Sequence, residues 1–377
     1  LSNYSLVSSG YYDFHGVASS IGEKPLNMLI NPVWGSRMTI GECLTNLMFV
    51  VVSKFEDIKL AGNWMWPANS SKEKYHLNNA VKEVSELLIE LGICIDGGKD
   101  SVSMSTKINE EIIDSPRTLV ISSYCTCPNI QNRVTPEFKS TNSSLIFIDL
   151  GFGSQRLGGS AFNQVNNKLD NITPNFDNPN KFIKVFNIIQ ELINDNLILS
   201  GHDRSDGGLI TTICEMSISS NIGCNIYLNN NQIINNNNYL DFLFNEELGL
   251  VIEVNRNDSL SILIKFKNIV PIRILGSTND NKNLRIEGYN DEILLNKNIK
   301  YIREDWERTS FELEKKQINK KLAILENEFL INSNKTDFDF YYPKKIMNKL
   351  KEINCNLEKT NLEKFNIGII RDEGSNG

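Results

Sequence analysis

Apolar positions recur along this chain with the periods of regular secondary structure. Residues 182–196 put Phe182, Val185, Phe186, Ile189 and Ile193 on one side of a helix. Leu77 to Leu91 carries a second stripe, made of Val81, Val84, Leu87, Leu88 and Leu91. Arg37 to Leu47 predicts a third helix, with Cys43, Leu44, Leu47 and Met48 turned inward. Short apolar runs predict strands at Phe49 to Val52, Ile58 to Leu60, Ile93 to Ile95, Thr118 to Tyr124, Leu250 to Val254, Ile272 to Leu275 and Leu284 to Ile286. Ser144 to Gly153 reads as a buried strand ending in a Gly turn, and Gly158-Gly159 precedes a helix. Residues 302–332 are charged and helical, anchored by Trp306, Phe311 and Leu313. Residues 333–364 read as a linker with a short helix. The Asn tracts at Asn229 to Asn231 and Asn235 to Asn238 predict surface loops. The alternation of elements is that of a mixed α/β and α+β chain.

Against this background, Gly201-His202-Asp203-Arg204-Ser205-Asp206-Gly207-Gly208-Leu209 stands out. The apolar run Leu197 to Leu199 leads in, and the helical pattern Leu209, Ile210, Ile213, Met216 leads out. Strand, polar turn, helix is a common seat for a phosphate. Asp carboxylates suit Mg²⁺, and paired glycines allow close backbone approach. An Asp/Gly turn with capping side chains would use the same residues. On the predicted helix, Glu42 and Asn46 stand four apart on one face, where both could bind Mg²⁺ or could simply form a polar face. Lys59 to Ala68 holds two Trp residues between Gly and Pro, the mark of a packed, shaped loop that is either core or pocket wall. Gly97-Gly98-Lys99-Asp100-Ser101 offers flexible amides, a cation and hydroxyls suited to an anion, without Walker A spacing.

Composition narrows the class. A chain of 377 residues suggests two or three domains. Hydrophobic content of 40% with 23% charge is ordinary for a globular protein. The net charge of −7 argues against general nucleic-acid binding. No apolar run approaches the roughly twenty residues of a membrane span. The seven cysteines are scattered, and only Cys125-Thr126-Cys127 forms a close pair. That is the pattern of reduced thiols in a cytoplasmic protein, not of a zinc site.

Six segments together resemble one family, the phosphoribosylformylglycinamidine (FGAM) synthases in their large single-chain form. They are Gly22 to Pro25, Gly41 to Asn46, Gly62 to Met65, Gly98 to Ser101, His202 to Gly208 and Phe244 to Gly249. The resemblance covers nearly the whole chain. It implies a tandem synthetase half of the AIR-synthase-like superfamily, ending at the start of a class I glutaminase domain. The expected divisions are an α/β domain over residues 1–140, an α+β domain over 141–290, a connector over 291–364 and the start of a glutamine amidotransferase over 365–377.

The resemblance further implies a ligase of purine biosynthesis that converts FGAR to FGAM with ATP and glutamine. Its partners would be the other synthetase half and the glutaminase of the same polypeptide. No nucleic acid or membrane is expected. No catalytic residue is expected within this chain, because the family's catalytic His and glutaminase Cys and His lie outside it. Mg²⁺ ligands carry over to Asn3, Glu42, Asn46 and Asp203, and ATP or ADP contacts to Ser2 and Ser205, with Lys99 as a further candidate. Family members usually have Ala-Asp where Ser2-Asn3 stands, so one metal-binding charge is missing here. Two other readings stay open: an ADP held without turnover as a staple between halves, or a related ATP-dependent synthase. Taken alone, the chain is expected to lack glutaminase activity.

Overall fold

The computed structural model describes residues 3–11, 13–228 and 238–332. Ser2, most of the Asn tracts, the linker at 333–364 and the glutaminase-like end at 365–377 lie outside the described residues.

The first unit is a five-stranded sheet in the order β1-β2-β7-β3-β4. Its strands are β1 (Ser5–Ser8), β2 (Gly16–Glu23), β3 (Lys59–Met65), β4 (Cys94–Ser101) and β7 (Thr118–Cys127). A small hairpin, β5 (Ser105–Ile108) and β6 (Glu111–Asp114), stands apart from it. One sheet face carries α1 (Pro25–Ile30), α2 (Pro32–Leu47) and α3 (Ser71–Leu91). The second unit is a seven-stranded sheet in the order β14-β13-β10-β12-β8-β11-β9. It comprises β8 (Ser143–Asp149), β9 (Ser200–Asp203), β10 (Gly223–Tyr227), β11 (Gly249–Asn255), β12 (Ile272–Asn279), β13 (Asn283–Glu287) and β14 (Ile293–Asn298). The remaining helices are α4 (Ala161–Val165), α5 (Pro179–Asn194), α6 (Gly208–Ser220), α7 (Tyr239–Phe244), α8 (Ser259–Lys265), α9 (Ile299–Gln317) and α10 (Lys320–Asn332).

Helix α2 joins the two units. Most of its residues are buried, from Pro32 and Gly35 through Leu47, so it lacks the polar face of a surface helix. Its apolar side chains share one core with Ile146, Ile148, Leu250 and Ile252 of the seven-stranded sheet. At Gly41 a Cβ would stand 2.6 Å from Leu248 Cδ1, so a larger residue there would have to displace the Leu248 side chain. Asn31 caps α2 by accepting from the amides of Val33 and Trp34, and Pro32 starts it. A second core lies under α6 and α7, around Phe147, Leu209, Phe242 and Val251.

Three local expectations change. Phe49 to Val52 is buried but forms no strand; Val50 makes a single bridge to Arg133. An apolar run alone does not distinguish a buried strand from a buried turn. The two-Trp segment is a strand rather than a loop up to Met65, and Trp66 is fully buried with its indole N–H on the Glu73 carbonyl at 3.1 Å. Gly97 to Ser101 is likewise part of a strand, β4, paired in parallel with β3 at the sheet edge. There Gly98 has φ +150°, and a Cβ would meet Gly62 O at 2.0 Å. Gly98→Ala is therefore expected to destabilise the chain by about 2–5 kcal/mol through strain and steric overlap. A urea midpoint equal to that of the unmodified chain would refute this.

Candidate nucleotide site at the junction of the two sheets

The polar turn after β9 is built by two left-handed glycines. Gly207 has φ +81° and Gly208 φ +74°, and a Cβ on Gly208 would stand 2.6 Å from Leu243 O. Both positions reject a side chain, so the backbone folds tightly from β9 into α6. The strand itself begins three residues later than the apolar lead-in suggests: Ser200 to Asp203 pairs with β11, and Asp203 lies opposite Leu250. Asp203 is therefore the last strand residue and is 2% exposed. Thr212 of α6 donates to its carbonyl at 2.9 Å.

Arg204 anchors the turn from below. Its guanidinium donates to Glu247 O at 2.6 Å, Leu248 O at 2.9 Å and Asp149 Oδ1 at 3.0 Å, and lies over the Phe147 ring. Glu246, beside this anchor, accepts from the amides of Gly207 and Ala161, both at 2.8 Å. Burial pushes its carboxyl above the usual range, against the pull of Lys24.

Glu42 reaches the same place from α2. Strand β2 crosses that helix at Gly22, where a Cβ would meet Thr39 O at 2.2 Å. The close crossing lets Glu23 N donate to Glu42 Oε2 at 2.7 Å. Glu42 Oε1 accepts from the Ser205 hydroxyl and lies 3.0 Å from Lys24 Nζ. Lys24, only 3% exposed, also meets Asp206 Oδ1 at 2.6 Å and the Ser205 hydroxyl at 3.3 Å. Burial works against the Lys24 charge, but Glu42, Asp206 and Glu246 outweigh it and hold the ammonium above its usual range. Burial raises Glu42, partly offset by Lys24 and Ser205.

Asn3 completes the cluster. Its amide donates to Asp203 Oδ1 at 2.9 Å and lies 3.4 Å from His202 Nδ1. His202 Nδ1 is 3.0 Å from Asp203 Oδ1, and Nε2 is 3.0 Å from Glu215 Oε2, the latter without hydrogen-bond alignment. Burial lowers the imidazole, but these two carboxylates prevail and raise it to about 9. His202 thus holds Asp203 through Nδ1. Two buried oxygens remain without hydrogen-bond partners, Asn3 Oδ1 and Asp203 Oδ2.

The structure thus brings together Asn3, Glu42, Asp203 and Ser205. Asn46 sits one helical turn beyond Glu42, half-exposed, with its amide on Ile21 O at 3.1 Å. Lys99 is elsewhere: it is exposed on β4 with its ammonium on the Ser101 hydroxyl. Lys24, Glu215 and Glu246 complete the cluster although sequence reasoning did not place them in it. Lys24 and Glu246 lie in the quoted segments, but the contacts that give them a role span long sequence separations.

A divalent cation fits this chemistry in part. Asn3 Oδ1 and Asp203 Oδ2 are hard, buried oxygens lacking partners. Glu42 is already engaged on both oxygens by Lys24, Ser205 and Glu23. Among the described residues no group of three His, Cys, Asp or Glu could hold a metal, so such an ion would depend on amide oxygens as well.

Residues 1–126 match the family described as the FGAR-AT PurM_N-like domain. Residues 150–288 match the AIR synthase related protein, C-terminal domain. The phosphoribosylformylglycinamidine synthase of Dictyostelium discoideum is 35% identical over 404 residues, covering 100% of this chain and 29% of that protein. The probable chloroplastic/mitochondrial enzyme of Arabidopsis thaliana is 36% identical, covering 100% of this chain and 26% of that protein. The chain therefore spans under a third of the length of these relatives. Among solved structures, Thermotoga maritima PurL complexed with FGAR superposes with a TM-score of 0.61 at 12% identity, over 90% of this chain and 50% of that one. At that identity the likeness concerns the fold, which is AIR-synthase-like. Matched from end to end by relatives of one name and carrying both domain types, the chain belongs to the phosphoribosylformylglycinamidine synthase family.

Proposed function

We propose that this chain supplies a Mg-nucleotide site to a composite synthetase that amidates FGAR to FGAM, using ATP and glutamine-derived ammonia. The observation that carries the reading is the pair of buried, unpartnered oxygens, Asn3 Oδ1 and Asp203 Oδ2, beside the Ser205 hydroxyl and the Gly207-Gly208 turn. Asp203, Asn3 and Asn46 would hold Mg²⁺, with Glu42 nearby; Ser205 and Ser2 would contact the nucleotide. Bound Mg²⁺ would offset phosphate charge. This chain's own work is to place Asp203 at the end of a strand, orient it through His202 and Glu215, and exclude water by packing α2 against the turn. Lys99 would serve only a nucleotide that also reached the β4 edge.

The open face of the first sheet supports a composite protein. Val17, Ile21 and Tyr124 are exposed on the side opposite α2, and β4 is exposed on both faces. The partner of that face would be the other synthetase half of the same polypeptide, with the glutaminase domain as a further neighbour. No helix among the described residues is long and apolar enough to cross a membrane.

A second reading, ADP held without turnover, is favoured by the Lys24 contacts. They tie Glu42 of the first unit to Asp206 of the second at the same cluster. Calorimetric titration of ADP and ATP, with and without Mg²⁺, tests both. Micromolar Mg-dependent binding is expected. Binding of ADP in preference to ATP with no ATP consumed would select the staple. Absence of binding both to the chain and to the polypeptide containing it would overturn the proposal.

A further inference from the structure

Helix α10 buries little of its own apolar surface. It packs along α9, and of its residues only Ala323 is buried, with Asn327 and Ile331 half-buried on the same side. Leu322, Leu325 and Phe329 are 59%, 60% and 61% exposed. Their spacing of three and four residues is that of a coiled-coil seam, and Glu326 and Glu328 flank it. A helix of 13 residues is marginal in water without packing, so an open seam on one calls for a partner.

The chain itself carries a counterpart. It continues from Asn332 to Gly377, and in that stretch Ile346, Leu350, Ile353 and Leu357 repeat at spacings of four, three and four. Pro343 precedes them, as suits a helix start, and Asn348, Lys351, Glu352 and Cys355 fall at the positions turned away from such a seam. Antiparallel to α10, one register pairs Phe329 with Ile346, Leu325 with Leu350 and Leu322 with Ile353. The same register brings Lys349 beside Glu328, a pair of opposite charges at the flank.

We propose that the exposed stripe of α10 is the docking surface for residues 346–357 of this same chain, bound as an amphipathic helix antiparallel to α10. A tether this short gives an effective concentration of about a millimolar, an advantage that a second copy of the chain lacks. Docking also fixes where the polypeptide leaves the second unit: beside the corner between α9 and α10, not from the free end of α10.

Hydrogen–deuterium exchange of the full chain, read by mass spectrometry, tests this. In the wild type, peptides covering 319–332 and 345–358 are expected to be protected together. Leu350→Asp combined with Ile353→Asp should speed exchange in α10 about tenfold or more, while peptides of β8 and β11 keep their wild-type rates. Asn348→Asp, at an outward position, should leave α10 within about twofold of wild type. Unchanged α10 exchange in the double variant would overturn the proposal. So would protection of α10 that vanishes on dilution, which would assign the stripe to a second copy. Unprotected 345–358 amides in the wild type would do the same, and that result needs no variant to fold.

Discussion

Asp203→Ala is expected to weaken Mg-dependent nucleotide binding by about a hundredfold. Losing an outer-sphere partner costs a metal site about ten- to a hundredfold, and Asp203 would touch the ion directly. Its Oδ2 is a buried oxygen without a partner, a costly arrangement unless something positive or hydrogen-bonding completes it. The substitution also strips the acceptor from Asn3 and leaves His202 with Glu215 alone. Asp203→Asn separates these effects, since it keeps one oxygen and much of the hydrogen bonding while removing the charge. Calorimetry on both variants checks the expectation. Wild-type affinity in Asp203→Ala would exclude this carboxylate from the site, and with it the assignment of Asn3.

Arg204→Met is expected to destabilise the fold by about 3–5 kcal/mol, as removing one partner of a buried charged network does. The Met side chain keeps most of the apolar stem over Phe147 but deletes donors to two carbonyls and to Asp149. Asp149 retains the amides of Gly151 and Gly153 at 3.2 and 2.9 Å, which places the expected cost on the carbonyls of Glu247 and Leu248. Those carbonyls precede β11, the strand that pairs with Asp203. Loss of stability should therefore be accompanied by weaker nucleotide binding. The midpoint of urea unfolding measures it; a change below about 1 kcal/mol would show that the anchor is dispensable.

How legible each part was depends on the range of the interactions that form it. Helices α3 and α5 follow from their stripes because periodicity is local. Ser70 caps α3 and Gly92 closes it in the left-handed conformation, signals that also lie within a few residues. Strand β4 was legible only at its start, in the run Ile93 to Ile95. Gly, Lys and Asp are poor strand formers, and Gly97 to Ser101 is extended only because β3 offers a ladder. The shift of β9 from Leu197–Leu199 to Ser200–Asp203 has the same origin, since pairing with β11 sets its position.

The motif segments by themselves pointed to the family and to the Ser205 turn, and the resemblance then supplied the candidate ligands Asn3, Glu42, Asn46 and Asp203. Short runs of unusual composition carry that information without a fold. The tertiary structure decided which of these groups meet. It placed Lys24 on Glu42 and, across a sequence separation of 182 residues, on Asp206, set Asn3 on Asp203 across 200, and left Lys99 on an exposed edge. The physical reason is that electrostatic roles depend on distance and burial. Both are set here by the packing of α2 between two sheets, and no local pattern encodes that packing.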